Sequence, residues 1–241
     1  NSSTVRVAVI ASNGMQAVIP AAGEGVRMRP LTLAKPKPLL EIAGKPLLRH
    51  IIEALPNTVD EVIIVVGYLG QQIIDYCGDV FCGKKITYVW QREKTGTARA
   101  LQLCRPYLRD GKFLFVNADD IINTETLERA LTHDLCIVTT YREDWQKWGI
   151  LALNEDGSVK DFIEKPQTFI SSIANTNMMV LDERIFEFEP DPHATGEFYL
   201  TTMVQKLAKK YKIYTEPASL WIPVGTPEDL QKAESMLLLQ R

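Results

Sequence analysis

Residues 17–48 read AVIPAAGEGVRMRPLTLAKPKPLLEIAGKPLL. Ala17–Pro20 is a short apolar run that reads as a strand. Ala21, Ala22, Gly23 and Gly25 are small, and they break that run into a loop carrying Arg27 and then Lys37. An apolar helix is expected over Leu47–Leu55. A strand feeding a small-residue loop with fixed cations is how an α/β protein grips a polyphosphate. Glycines let backbone N–H groups approach the phosphate oxygens, and the cations cancel their charge. No Gly-Lys-Ser/Thr closes the loop, so it is not a P-loop.

Working outward, strand-like and helical runs alternate. Val62–Val66 reads as a strand and Gly70–Tyr76 as a helix; Ile86–Trp90 and Thr97–Cys104 repeat the pattern, as do Phe113–Val116 and Thr124–Leu131. Such alternation predicts an α/β fold: a Rossmann-like, mostly parallel mixed sheet flanked by helices. Ligands of these sheets bind at the carboxyl ends of strands. Two polar clusters follow strands directly, Gly23–Arg27 and Asn117–Asp120. Beyond residue 135 the elements shorten, with strands read at Ile137–Tyr141, Ile150–Leu153, Val159–Ile163 and Met178–Leu181. Helices are read at Phe198–Lys210 and Glu228–Leu239, the last with Thr226 as N-cap and Pro227 at its first position.

The chain has 241 residues and a net charge of -3, which fits one large α/β domain. There is no basic excess to mark nucleic acid or an anionic membrane as partner. No apolar run approaches the roughly 20 residues of a membrane span. The four cysteines, Cys77, Cys82, Cys104 and Cys136, lack metal-ligand spacing and read as reduced, buried thiols of a cytoplasmic protein. Residues 1–14, with the strand-like stretch VRVAVIAS, read as an expression leader before a native start at Met15.

The array GEGVR, PLT, PKPLL and GKPLL resembles the signature of sugar-phosphate nucleotidyltransferases, the nucleotide-sugar pyrophosphorylases. The likeness extends over residues 15–241 as a single nucleotidyltransferase domain with a smaller sugar-binding lobe. Its nearest branch is that of the glucose-1-phosphate thymidylyl- and uridylyltransferases. The resemblance implies transfer of a nucleotidyl group from an NTP, UTP or dTTP first, to a sugar 1-phosphate, with Mg²⁺ as cofactor. Arg27 and Lys37 would hold the phosphates and the departing pyrophosphate, and Asp119 would bind the metal. Nucleotide contacts would come from Ala21, Ala22, Gly23, Gly25, Arg27, Gln91, Gly96 and Thr97. Sugar-phosphate contacts would come from Gly149, Glu164, Lys165 and Asn175, while Gly196-Glu197 and Val224–Asp229 would close the site. Arg29 has no assigned role, and His50, His133 and His193 look peripheral.

The chain departs from the pattern at three positions. Pro223 stands where the family usually has an Asp or Asn metal ligand, and Asn177 where a glycine is common. Thr202 replaces an acid. Asp120 stands beside Asp119 as a substitute ligand or a solvated acid. Two other readings stay open: a cytidylyltransferase on phosphocholine, hinted at by Trp145 and Trp148, and a regulatory protein that binds nucleotide sugars without turnover. A homo-oligomer is also left open.

Overall fold

A computed structural model describes residues 14–239. The leader read for residues 1–14, including VRVAVIAS, lies outside the described residues apart from Gly14. The first half runs β1 (Met15–Ala21), β2 (Glu41–Ile42), β3 (Lys45–Pro46), α1 (Leu47–Ala54), β4 (Val59–Val66), α2 (Gly70–Cys77), β5 (Val80–Phe81), β6 (Lys84–Trp90), α3 (Thr97–Cys104), β7 (Phe113–Phe115), β8 (Asp120–Ile122) and α4 (Thr124–Ala130). The second half adds β9 (Cys136–Tyr141), β10 (Gly149–Leu153), β11 (Val159–Glu164), β12 (Ile173–Leu181), α5 (Leu200–Lys210), β13 (Tyr214–Pro217), β14 (Trp221–Pro223) and α6 (Pro227–Leu238).

The main sheet has the order β11-β10-β12-β7-β1-β4-β6-β5, with β9 joined to β12 and β13 to β9. Strands β7, β1, β4 and β6 are parallel. From β12 outward the pairing turns antiparallel. The sheet is therefore mixed, as expected: a parallel block in the half that carries the loop, edged by antiparallel β5, and a mostly antiparallel second half in which β13 joins β9 in parallel.

The central strands are apolar on both faces because both are covered. Alternate residues split between two layers. Ile19, Ile64 and Val66 pack with α1, α2 and α4, while Val18, Ile63 and Val65 pack with α3 and α5. Each such side chain taken out of water contributes about 1.5–3 kcal/mol before entropy is counted. Gly67, just past β4, lets the strand ends converge: a Cβ there would lie 2.8 Å from Ala22 Cβ and 2.9 Å from the Gln91 carbonyl.

Six strands lie beyond the sequence reading: the two-residue β2, β3 and β5, and the longer β8, β13 and β14. β8 and β14 form a separate antiparallel ribbon, with Pro223 opposite Asp120. β13 was hidden because a strand of four residues among polar neighbours has little periodicity. One cysteine expectation is corrected: Cys77, Cys104 and Cys136 are buried, but Cys82 is exposed. It sits in the tight connection between β5 and β6 with φ of 50°.

Candidate active site

The carboxyl ends of β1, β4, β6 and β7 open onto two adjoining clefts. One, of about 620 Å³, is walled by Gly67, Tyr68, Trp90, Gln91 and Arg92. The other, of about 920 Å³, runs from the Gly23–Met28 loop past Asp119 to Glu164 and Lys165. Glu24 and Lys94 line both, so they mark the junction. Ala22 faces the smaller cleft, while Ala21, Gly23, Gly25, Arg27, Lys37, Thr97 and Asp119 face the larger.

The loop is held by packing as well as by sequence. Gly25 adopts φ of 60°, and a Cβ there would meet Thr32 Cγ2 at 3.0 Å and Lys37 Cβ at 3.1 Å. Thr32 is fully buried, and its hydroxyl donates to the Gly25 carbonyl at 2.9 Å. Tyr68 and Gln72 pin the next stretch by donating to the carbonyls of Thr32 and Ala34. Met28 fills the core beneath. Arg27, exposed on the loop, makes no hydrogen bond or ion pair among the described residues. Its guanidinium lies against Gly225, where a Cβ would come within 3.4 Å of it. Arg29, without an assigned role in the sequence, is ion-paired with Glu24 at 3.1 Å.

Lys37 is flanked by Pro36 and Pro38, which fix the backbone on both sides. Its side chain is only 9% exposed, and Nζ donates to Asp119 Oδ2 at 2.8 Å. Asp119 follows β7, and its carbonyl accepts from the Val224 N–H at 3.0 Å. Asp120, beside it, does not line the cleft: it is buried and begins β8. Burial and the Asp119 carboxylate push its carboxyl well above the usual range, against the pull of Lys37, Trp221 and Asn117. The Trp221 side chain near it is half-buried, and its Nε1, itself buried, closes no hydrogen bond of good geometry among the described residues. Pro223 offers no side-chain oxygen. Among the described residues no three His, Cys, Asp or Glu side chains gather as a metal site. One carboxylate fits Mg²⁺ only in the form that ion often takes, with substrate phosphates and water supplying the other oxygens.

In the smaller cleft, Gln91 Nε2 donates to Thr95 Oγ1 and to the Gly96 carbonyl, both at 3.0 Å. A carbonyl only accepts, so this contact fixes which way the amide points. Gly96 itself is spent on packing: a Cβ there would lie 2.4 Å from the Phe198 carbonyl oxygen. Thr97 Oγ1 accepts from Leu200 N at 3.0 Å, at the start of α5. The Gly96–Ala98 segment thus clamps the Phe198–Leu200 segment against the start of α3.

At the far end, Gly149 lies beneath Glu164, on the neighbouring strand. A Cβ on Gly149 would come within 2.8 Å of Glu164 Oε2. Glu164 is exposed as a residue, yet its carboxyl is crowded by the cleft wall. Burial therefore raises its pKa, with Lys165 and His193 pulling the other way. His193, expected to be peripheral, lines this cleft beside Glu197 and Tyr199. His50 and His133 do lie elsewhere, bonded to the Ile42 carbonyl and stacked on Tyr214. Asn175 is buried and does not line the cleft; its Nδ2 donates to Asn177 Oδ1 at 2.7 Å. Asn177, in the left-handed conformation at φ 57°, lines it instead. An irregularity in the β12–β9 pairing between Asn175 and Met179 accompanies that turn, at the position where the resemblance expects a glycine.

The tryptophans do not form an open cage for a quaternary amine. Arg142 covers Trp148 at 4.6 Å, and Trp145 packs edge-on against Phe169.

The comparisons with known proteins agree with this geometry. The chain is 33% identical over 233 residues to the bifunctional protein GlmU of Methanococcus vannielii, covering 93% of this chain and 55% of that one. It thus spans about half the length of the GlmU relatives it matches. It is 32% identical over 235 residues to the UTP–glucose-1-phosphate uridylyltransferase AglF of Haloferax volcanii, covering 92% of this chain and 96% of the relative. A solved UDP-glucose pyrophosphorylase complexed with UDP-glucose superposes with a TM-score of 0.80 at 22% identity, over 95% of this chain and 100% of that one, a likeness of fold. With the nucleotidyl transferase family model matching residues 16–240, the chain belongs to that family.

Proposed function

We propose that residues 15–241 act as one sugar-1-phosphate nucleotidyltransferase unit, using UTP or dTTP and releasing pyrophosphate. The observation that carries the reading is the larger cleft. It aligns Arg27 and Lys37 with Asp119 and ends at Glu164 and Lys165. A polyphosphate and a sugar phosphate would meet there end to end. An oxygen of the sugar phosphate attacks the α-phosphorus, and pyrophosphate leaves in line. The nucleophile is already anionic, so no general base is required. The work left to the protein is positioning two polyanions and cancelling their repulsion. Arg27, with no counter-ion of its own, is suited to the β- and γ-phosphates. Lys165 is suited to the sugar phosphate, and Glu164 to sugar hydroxyls. Mg²⁺ bound by Asp119 would neutralise phosphate charge at the reacting centre.

The base preference is supported by Gln91. Both of its amide N–H groups are engaged by Thr95 and Gly96, which leaves Oε1 to meet a base. An acceptor suits the imino N–H of uracil or thymine. It opposes the ring-nitrogen lone pair that cytosine or adenine presents at the same edge. Guanine also carries an imino N–H, so GTP belongs in any panel. The relative named as a UTP–glucose-1-phosphate uridylyltransferase supports glucose 1-phosphate as the first acceptor to try. A cytoplasmic location is part of this reading, supported by four free cysteines. Among the described residues no helix is long and apolar enough to cross a membrane. The test is pyrophosphate release across a panel of NTPs and sugar 1-phosphates. Release with UTP or dTTP and little with CTP or ATP is expected; no release with any pair at saturating Mg²⁺ defeats the reading.

A further inference from the structure

The step after β7 presents one carboxylate to the larger cleft, and a lysine is already bonded to it. Lys37 Nζ sits 2.8 Å from Asp119 Oδ2, with the lysine side chain 9% and the aspartate side chain 37% exposed. The neighbouring acid is buried: Asp120 is 7% exposed. On the facing strand, residue 223 stands opposite Asp120 and is a proline. The Val224 N–H holds the Asp119 carbonyl, which keeps the two strands in that register. A hard dication wants about six oxygens and gives up its water reluctantly. Here it would find a single carboxylate whose charge an ammonium already matches, in a partly buried setting where such pairing is strong.

We propose that Lys37 guards Asp119, so that the chain alone does not retain a divalent cation and the cation enters only with the NTP. The polyphosphate supplies what the pair lacks. It gives Lys37 another anion to hold, freeing Asp119, and it brings oxygens of its own to the cation. Pro223 is the second half of the device, because an acid at that position would let the protein bind metal without nucleotide. This inference rests on the NTP reading above and adds an order of binding to it.

Mn²⁺ is the probe, read in the full chain by loss of the free-ion EPR signal. Proton-relaxation enhancement follows the ternary complex with α,β-methylene-UTP, which cannot be cleaved at the reacting bond. The wild-type protein is expected to bind no Mn²⁺ below millimolar concentration by itself and to give a clear enhancement with the analogue. Lys37→Met should raise Mn²⁺ affinity without nucleotide by at least about tenfold. Lys37→Gln serves the same purpose if that variant does not fold. Pro223→Asp should raise the same affinity with Lys37 intact. Micromolar binding by the wild-type protein without nucleotide overturns the proposal, and so does unchanged binding in both kinds of variant. Analogue binding is measured separately in EDTA and in Mn²⁺. If the analogue binds in neither, the NTP reading itself has failed. If it binds while Mn²⁺ is held equally well without it, only the order of binding has failed.

Discussion

The two ends of the parallel strands handle charge in opposite ways. At the amino ends, Glu61 accepts hydrogen bonds from Gln16, Thr87 and Arg109 and pairs with Lys85. Arg109 also reaches Asp60 and the Gly14 carbonyl. Burial works against the Glu61 charge, but these partners outweigh it and lower its pKa to about 2. At the carboxyl ends, Arg27 has no partner among the described residues, and Glu164 is pushed toward its neutral form. Both ends use Arg, Lys, Glu and Asp, so composition does not separate them. An end whose charges are all matched holds the strands together. An end with charges left over has free energy to give to a ligand.

Removing the unmatched cation should give the largest effect. Arg27→Ala is expected to cost about 3 kcal/mol of transition-state stabilisation, a fall of two to three orders of magnitude in turnover. The melting temperature should hardly move, because an exposed side chain without partners supports no fold. Steady-state pyrophosphate release and a thermal melt on the same preparation check both halves. Near-normal turnover would mean the loop does not face the leaving group.

The opposite pole should respond in the opposite sense. Glu61→Gln is expected to lower stability by about 2–3 kcal/mol while leaving turnover of the folded enzyme unchanged. The sign in pH follows from a folded pKa of about 2 against an ordinary 4.5. The Glu61 contribution is complete above 4.5 and is lost as pH falls through the folded value. Urea midpoints measured from neutrality down to acid should therefore fall in the wild type and run flatter in the variant. A variant of unchanged stability would erase the contrast between the poles.

How much of this is legible in the sequence depends on whether a signal is local. The strands β4 and β6, the helix α3 and the Thr226 cap carry their own periodicity or capping chemistry, and they lie within a few residues of where sequence reading put them. The loop Gly23–Arg27 was legible because it opens the longer array GEGVR, PLT, PKPLL and GKPLL; a glycine loop after a strand is by itself weak evidence. The β8–β14 ribbon was not, because Asp120 and Trp221 meet only through a pairing about a hundred residues apart in sequence. Asn175 and Asn177 could not be ranked in advance. Alternation along a strand puts both on one face, and the left-handed turn at Asn177 decides which of them reaches the cleft. The same limit hid His193, whose placement depends on the 193–197 turn closing with His193 N–H on the Glu197 carbonyl.

A smaller effect should come from the sugar end, where stability and function share one contact. In Gly149→Ala the new methyl would stand 2.7 Å from Phe162 Cζ and 2.8 Å from Glu164 Oε2, so Glu164 must shift. About 1–2 kcal/mol of stability should be lost to overpacking. The KM for sugar phosphate should rise with kcat less affected. The wild-type pH profile tests the same group without a mutation. A carboxyl with a raised pKa takes up its proton at a higher pH than an ordinary glutamate, so it loses its charge earlier as pH falls. KM for the sugar phosphate should climb on the mildly acidic side. Glu164→Gln should flatten that limb; a limb that persists belongs to another group.

The smallest effect falls where the contrast between the poles breaks down. The start of α6 lies at the ligand end, yet its polar groups satisfy one another. Thr226 Oγ1 accepts from Asp229 N, and the Asp229 carboxylate accepts from the N–H groups of Gly225 and Thr226. Thr226→Ala should cost about 1 kcal/mol, the usual worth of such a cap. Gly225 is the surface on which the Arg27 guanidinium rests, so loosening the cap also loosens the seat of the unpaired cation. The variant should therefore show a slightly lowered melting temperature together with a modest rise in the KM for nucleotide, a pairing that neither Arg27→Ala nor Glu61→Gln produces. A melting shift with nucleotide KM unchanged would show that Arg27 is positioned by the loop alone, from Gly25 and Thr32.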